Sequence, residues 1–127
     1  MSDKQAHNIQ ITVDVVYIEG QSDPESNRYV FAYTITITNE GSIAAKLLSR
    51  YWKITDSDGK IHEVRGEGVV GEQPRLKPGE HFQYTSGTLI DTPVGSMMGS
   101  YQMIDENGEN FEADIAIFTL SMPRTLH

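Results

Sequence analysis

The sequence contains no cysteine, and this absence excludes several kinds of chemistry. Disulfide frameworks, thiolate nucleophiles and cysteine-based zinc sites all require that residue. Basic residues are also scarce, since 10 lysines and arginines face 18 aspartates and glutamates and leave a net charge of −8. Because non-specific nucleic-acid binding needs a cationic surface, this composition predicts no nucleic-acid partner.

Long apolar runs are absent as well. No stretch approaches the roughly 18 apolar residues that a membrane-spanning helix needs, and the polar N-terminus lacks the apolar segment of a signal peptide. We therefore predict no membrane contact and a cytoplasmic location. At 127 residues the chain suits a single domain, residues 1–127, with a core from about residue 9 to residue 123.

What the sequence does have is a hydrophobic period of two. Apolar residues alternate with polar ones over positions 9–17 and again over 29–37, which is typical of half-buried β-strands. Asp58-Gly59 and Asn107-Gly108 tolerate positive φ at both central turn positions, so each predicts a tight hairpin. Trp52 is expected to fill the space between two sheets. The pattern predicts an all-β fold, a single antiparallel β-sandwich of seven or eight strands, placed near 9–19, 28–39, 47–56, 60–65, 80–89, 94–104 and 110–121.

Charge is distributed unevenly along the chain. The net charge is −4 over residues 1–45, +2 over 46–77 and −6 over 78–127. The positive middle third also holds most of the longest stretch without a strand pattern, residues 65–80, which is rich in glycine and proline. Loops longer than about 12 residues in a compact domain are usually functional or disordered. This region is therefore the place where an anion would be tolerated.

Three glycines in that loop, Gly66, Gly68 and Gly71, spell G-x-G-x-x-G. A dinucleotide-binding fold needs a helix directly after this motif, and the prolines at 74 and 78 exclude one. Two interpretations remain. We favour a purely conformational role for the glycines. The alternative is an anion nest of backbone N–H groups that binds a small phosphate ligand, with positive charge supplied by Arg65, Arg75 and Lys77.

Acidic turns and histidines offer weaker candidates. The turn with Asp105, Glu106 and Glu109 could hold a divalent cation weakly, although a solvated turn is the simpler interpretation. The four histidines show no metal-ligand spacing, and no serine lies in a nucleophile elbow. We therefore predict no metal site, no cofactor and no enzymatic activity.

Several segments together resemble the ApaG family, and the resemblance spans about Ile9 to Pro123. The segments are residues 48–56, 64–74, 78–80, 84–87, 92–101 and 111–123. The resemblance implies a fibronectin type III-like or immunoglobulin-like β-sandwich of bacterial origin. It also implies an association with cobalt resistance and magnesium efflux, and it supplies no established catalytic residues.

Domains related to that family in eukaryotic proteins imply a role in protein–protein contact. The expected function is thus a non-enzymatic binding module with an unidentified protein partner. The family's glycine motif maps onto Gly66, Gly68 and Gly71, so a pyrophosphate or nucleotide ligand at residues 66–71 is the alternative. The exposed edges of a sandwich also allow a homodimer by strand pairing.

Overall fold

A computed structural model describes residues 6–123, and almost all of this range is extended chain. The seven predicted strands are confirmed, with small changes at their ends. An eighth, very short strand lies in the stretch that was expected to be irregular. The strands are β1 (Ile9–Tyr17), β2 (Tyr29–Asn39), β3 (Ala45–Asp56), β4 (Ile61–Glu67), β5 (Arg75–Leu76), β6 (His81–Ile90), β7 (Val94–Asp105) and β8 (Asn110–Ser121).

The strands form two antiparallel sheets that face each other. One sheet has the order β1-β2-β6. The other has the order β4-β3-β7-β8, with β5 pairing the first residues of β3 in line with β4. This is the predicted β-sandwich of the fibronectin type III and immunoglobulin class. Within residues 6–123, no helix is long and apolar enough to cross a membrane.

The core lies between the sheets and is built by the alternation seen in the sequence. Along β2, buried and half-buried residues alternate without interruption. Trp52 is only 2% exposed, and its ring makes edge contacts with Tyr33 at 5.4 Å and with Phe118 at 5.9 Å between centroids. Such aromatic contacts have preferred geometries, so they favour one defined side-chain arrangement in the core. The predicted central position of Trp52 is therefore confirmed.

A pair of buried tyrosines connects the two layers. The hydroxyl of Tyr84 on β6 hydrogen-bonds to that of Tyr101 on β7, so a polar contact joins the two sheets across the core. Burial raises the pKa of Tyr84 to about 12 and raises that of Tyr101 as well. Both hydroxyls therefore stay protonated over the range in which proteins normally work.

The two sheets differ in width, and β4 is the strand that remains uncovered. Six of its seven residues are exposed and the remaining one, Gly66, is half-buried, whereas its neighbour β3 buries every second residue near Trp52. On the other side of the sandwich, β1 contacts β8. The three-stranded sheet thus covers β3, β7 and β8 and leaves β4 projecting beyond it.

The two predicted hairpins exist, but their turns are not of the expected type. In both loops only the glycine has positive φ, at 82° for Gly59 and 84° for Gly108. The aspartate that ends each preceding strand accepts two backbone N–H groups on its side chain, from Asp58 and Lys60 at Asp56 and likewise at Asp105. These hydrogen bonds favour a longer loop with one left-handed glycine over the two-residue turn.

We predict that Tyr101→Phe lowers the free energy of unfolding by about 1–3 kcal/mol, because it leaves the buried Tyr84 hydroxyl without its partner. The double variant Tyr84→Phe/Tyr101→Phe should be more stable than the sum of the single effects implies, since it buries no orphaned hydroxyl. Urea unfolding at pH 7 measures both. Additive losses in the double variant would contradict the pairing.

Candidate functional site

The glycine motif forms a tight turn at the end of β4. Val69 and Glu72 exchange backbone hydrogen bonds around Val70 and Gly71, and these two central residues have φ of 49° and 79°. A turn with positive φ at both centres is the arrangement expected of a hairpin loop. Val69 is fully buried and holds the turn against the core, while Val70 is 64% exposed at its tip.

Each glycine of the motif has a structural reason. A side chain at Gly68 would collide with the carbonyl of Glu72, and its φ is +63°. Gly71 also lies in the left-handed region. A Cβ at Gly66 would come within 2.9 Å of the guanidinium of Arg50. These constraints support the conformational role that the sequence favoured.

The N–H groups of this turn are largely used within the chain. The Gly68 N–H donates to the carbonyl of Leu48 at 2.9 Å, and the N–H groups of Val69 and Glu72 bond each other's carbonyls. An anion nest needs successive N–H groups that point together into open space. Binding of a phosphate at Gly66, Gly68 and Gly71 stays a prediction. The N–H groups that already donate to backbone carbonyls would have to donate to the phosphate as well.

Arg50 is a residue of this site that the sequence analysis did not single out. Its guanidinium passes beneath Gly66 and donates to the carbonyls of Glu67 and Gly68 at 3.0 and 2.9 Å. Among residues 6–123 it forms no ion pair. The signal was in the alternation, since Arg50 shares the inward face of β3 with Trp52 and Ile54.

The three cations expected around the loop do not converge. Arg65 lies on the outer face of β4 with its guanidinium 4.3 Å from the ring centre of Tyr51. Arg75 is directed at the carboxylate of Glu106, 3.4 Å away. Lys77 lies in the turn before β6, where its backbone N–H donates to Glu80. Of the predicted residues, Arg65 and Gly66 line one shallow groove with Arg50, and Arg75 and Lys77 do not.

That groove has a volume of about 440 Å³ and a mixed charge. Besides Arg50 and Arg65 it is lined by Glu67 and Glu112, so two cations face two carboxylates. Tyr51 on the same outer face donates its hydroxyl to Glu63, and this hydrogen bond raises the pKa of Tyr51. The outer face beside β4 is therefore a patterned polar surface rather than a cationic pocket.

The backbone of β4 adds a second feature, a free edge. Asp56 N–H donates to the Lys60 carbonyl and Gly68 N–H donates to the Leu48 carbonyl, which fixes the phase of the ladder between β3 and β4. In that phase His62, Val64 and Gly66 direct their N–H and C=O groups at β3, because hydrogen-bonded pairs alternate. The groups of the intervening residues point away from the sheet. We call this row the β4 edge: Ile61, Glu63, Arg65 and Glu67.

An acidic cluster lies far from β4, at the turn between β7 and β8. His7, Asp105 and Glu109 place their ligand atoms within 4.8 Å of one another, beside a cavity of about 550 Å³. The Asp105 carboxylate is already engaged, since it accepts a 2.7 Å hydrogen bond from His7 Nε2 and two backbone N–H groups. Of the residues predicted for a cation, Glu106 faces Arg75 instead. A cation would have to displace these contacts.

His7 is one of the four histidines that show no metal-ligand spacing in the sequence. Its ring stacks on Phe111 with 3.9 Å between centroids, and only tertiary structure brings it to Asp105. His62 and His81 lie on β4 and β6, which belong to different sheets and do not pair. Among residues 6–123, the hydroxyl hydrogen bonds include none between a serine or threonine and a histidine.

Fold and surface together define a small immunoglobulin-like β-sandwich with a free strand edge. A family model described as the ApaG domain matches residues 19–105. Protein ApaG from Thiobacillus denitrificans is 57% identical over the full length of both chains, and Protein ApaG from Nitrosomonas europaea is 58% identical, again over the full length. The chain belongs to the ApaG family.

Solved structures agree with this assignment. A crystal structure of a Bordetella pertussis protein described as ApaA superposes with a TM-score of 0.92 at 51% identity, covering 95% of this chain and 98% of that one. A second X-ray structure from structural genomics gives a TM-score of 0.88 at 52% identity, covering 98% and 92%. The C-terminal domain of wzt, at 9% identity and a TM-score of 0.53, shares the fold alone.

We predict that Val70→Asn raises the free energy of unfolding by about 1 kcal/mol, because asparagine tolerates the left-handed backbone far better than a β-branched residue. Gly71→Ala should lower it by about 1 kcal/mol, since the next position needs the same conformation. Urea unfolding of both variants provides the comparison. A loss of stability in Val70→Asn would show that the turn has another geometry.

We also predict that stability falls in acid partly through Asp105. The hydrogen bond from His7 and then that from the Glu109 N–H hold the pKa of Asp105 below its usual range. The contribution is therefore complete above the unfolded pKa of about 3.9 and is lost as pH falls through the lower folded value. Asp105→Asn should show a shallower loss of stability between pH 5 and pH 2 in urea unfolding. An unchanged slope would exclude this role.

Proposed function

We propose that this ApaG-family chain is a non-enzymatic binding module that contacts another protein through the β4 edge. The observation that carries the proposal is the exposure of β4 along both faces, together with an outer side that pairs with no strand in the described range, residues 6–123. A strand in this position can accept an extended partner strand, with affinity from main-chain hydrogen bonds and selectivity from alternate side chains.

The β4 edge lacks two of the usual protections against such pairing, a proline and a bulge. Residues 61–67 contain no proline, and the register with β3 runs through β4 without a bulge. Proline, bulges and charged side chains are among the devices with which natural sheets block their edges, and of these the β4 edge carries only the charges of Glu63, Arg65 and Glu67. Arg50 covers only one end, where it donates to the Glu67 carbonyl. The centre of the edge, at Glu63 and Arg65, is left open.

Side chains support contact rather than catalysis. Val64 and Ile61 are 40% and 51% exposed on β4, and Val64 lies between two residues of opposite charge, Glu63 and Arg65. Tyr84 and Tyr101 are kept neutral by burial, and the contact between His7 and Asp105 stabilises a turn. A binding module with no catalytic cycle accounts for this distribution of polar groups.

The function is tested by Glu63→Pro, which removes one outward N–H and adds a ring at the β4 edge. The fold should persist, because proline is tolerated where the N–H faces away from the sheet. Affinity capture from a native extract should lose a specific protein with Glu63→Pro and retain it with Glu63→Gln, which removes the charge but keeps the N–H. Equal capture by both variants would contradict binding at this edge.

A small phosphate ligand, pyrophosphate or nucleotide, is the second candidate. It is supported by Arg50, which has no carboxylate partner among residues 6–123 and lies with Arg65 and Gly66 in one groove. Titration with pyrophosphate and ATP, followed by amide chemical shifts, decides the matter. Saturable chemical-shift changes at residues 66–71 that vanish in Arg50→Gln would support phosphate binding. No shift change at millimolar ligand would exclude phosphate binding at this loop.

The implied association with cobalt resistance and magnesium efflux is a third proposal and concerns a different surface. His7, Asp105 and Glu109 are the described residues whose ligand atoms lie close enough to share a cation. Calorimetry with cobalt and with magnesium should then show a saturable site that Glu109→Gln weakens. Without such a site, any role in cation homeostasis would have to pass through a protein partner.

A further inference from the structure

The charges on the β4 edge are arranged so that they complement a reversed copy of themselves. Glu63, Arg65 and Glu67 follow one another on the outward face of β4. Within residues 6–123, neither Glu63 nor Arg65 forms an ion pair, although both contact Tyr51. Opposite charges directly across an antiparallel pair are favourable and like charges are unfavourable.

Two copies that pair β4 with β4 around a two-fold axis have few registers to choose from. The axis must lie at one residue, because paired residues must share a face. An axis at Glu63 places that carboxylate against its own copy. An axis at Arg65 places two guanidinium groups together and also sets Glu63 against Glu67. Both registers are disfavoured by like charges.

An axis at Val64 removes every such conflict. Glu63 then lies opposite Arg65 of the second copy, and by symmetry Arg65 lies opposite Glu63 of that copy. Ile61 lies opposite Glu67. Because Glu63 and Arg65 direct their N–H and C=O groups outward, these opposed residues form hydrogen-bonded pairs as well as ion pairs. An axis at His62 or at Gly66 also avoids like-charge pairs, but each overlaps only three residues of β4. The axis at Val64 pairs the whole strand and satisfies the backbone and the charges together.

We propose that the partner at the β4 edge is a second copy of this chain, paired antiparallel through β4 with the two-fold axis at Val64. The inference rests on the proposed function and names its partner. The two four-stranded paths would join into one continuous sheet. The closest side chains at the axis would be the two Val64 residues, which are 40% exposed in the single chain and would cover each other.

A cysteine cross-link tests the register, because the natural chain has no cysteine of its own. At a non-hydrogen-bonded antiparallel pair the two Cα atoms lie about 4.5 Å apart, within the range that a disulfide can bridge. Under mild oxidation Val64→Cys should form a disulfide dimer. Ile61→Cys is the matched control, since in this register its two copies lie on the order of 20 Å apart along the strand.

The cross-linking rate and the sedimentation of the natural chain can each contradict the proposed dimer. If Val64→Cys cross-links no faster than Ile61→Cys, the register is wrong. If the natural chain sediments as a monomer at every concentration up to about 1 mM, a weak dimer of the usual strength is excluded and the inference fails.

Charge reversal gives a second test that does not depend on oxidation. Arg65→Glu and Glu63→Arg should each weaken the dimer at least tenfold, because each creates like-charge pairs on both sides of the axis. The double variant Glu63→Arg/Arg65→Glu should restore it. Lys46→Glu, which makes the same charge change on β3 away from the edge, should have no effect. Sedimentation velocity measures all four, with circular dichroism to confirm the fold.

The result also separates this inference from the proposed function. If Glu63→Pro fails to capture a protein other than this chain that the natural chain captures, and Val64→Cys fails to cross-link, the β4 edge is a binding surface and the second copy is not its partner. If Val64→Cys cross-links and the double reversal restores the dimer, the partner is the chain itself. If neither pairing nor capture depends on β4, both proposals are wrong.

Discussion

The sheet β1-β2-β6 has three strands and packs against a sheet in which four strands, β4-β3-β7-β8, lie side by side. This difference in width leaves one strand without cover, and most features of the surface follow from it. At the centre of the contact between the sheets, Tyr33 of β2 packs against Trp52 of β3 and Phe118 of β8. No comparable layer from residues 6–123 covers β4, of whose seven residues all but Gly66 are exposed. The strand is held by hydrogen bonds to β3 on one side, and on the other side no strand of residues 6–123 pairs with it.

The glycine motif is best understood as a part of this arrangement. Gly66 leaves space for Arg50, whose guanidinium reaches under β4 and holds the carbonyls where the strand ends. Gly68 and Gly71 then allow the chain to reverse tightly and return to β3 as β5. The motif thus terminates an exposed strand, and the surface that it leaves behind is the β4 edge rather than a deep cavity.

Much of the fold was predictable from the sequence because two-residue periodicity reports directly on which face of a strand is buried. The strands of β1 and β2 and the central position of Trp52 follow from it. The inward position of Arg50 was not predicted, because a charged residue on a strand normally faces solvent; the absent side chain at Gly66 provides the space that its guanidinium occupies. The turn type at Asp56 was mispredicted because a side chain, rather than the dipeptide's own preference, determines the loop.

The surface was less predictable, since it depends on which strands neighbour one another. The +2 charge of the middle third suggested an anion site, yet the cations divide between Tyr51, Glu106 and solvent. The cluster of His7 with Asp105 joins residues 98 positions apart. The opposite charges of Glu63 and Arg65 can be read from the sequence. They suggest pairing with a second copy only when β4 is known to be an edge strand.

Residue-resolved amide hydrogen exchange along β4, in dilute protein where a weak complex is dissociated, tests the central claim most directly. The account predicts alternation: the N–H groups of Val64 and Gly66 should be protected by β3, while those of Glu63 and Arg65 should exchange like open chain. Protection of all four amides under these conditions would mean that the edge is covered within the single chain. Such a result would contradict the uncovered β4 on which the account rests.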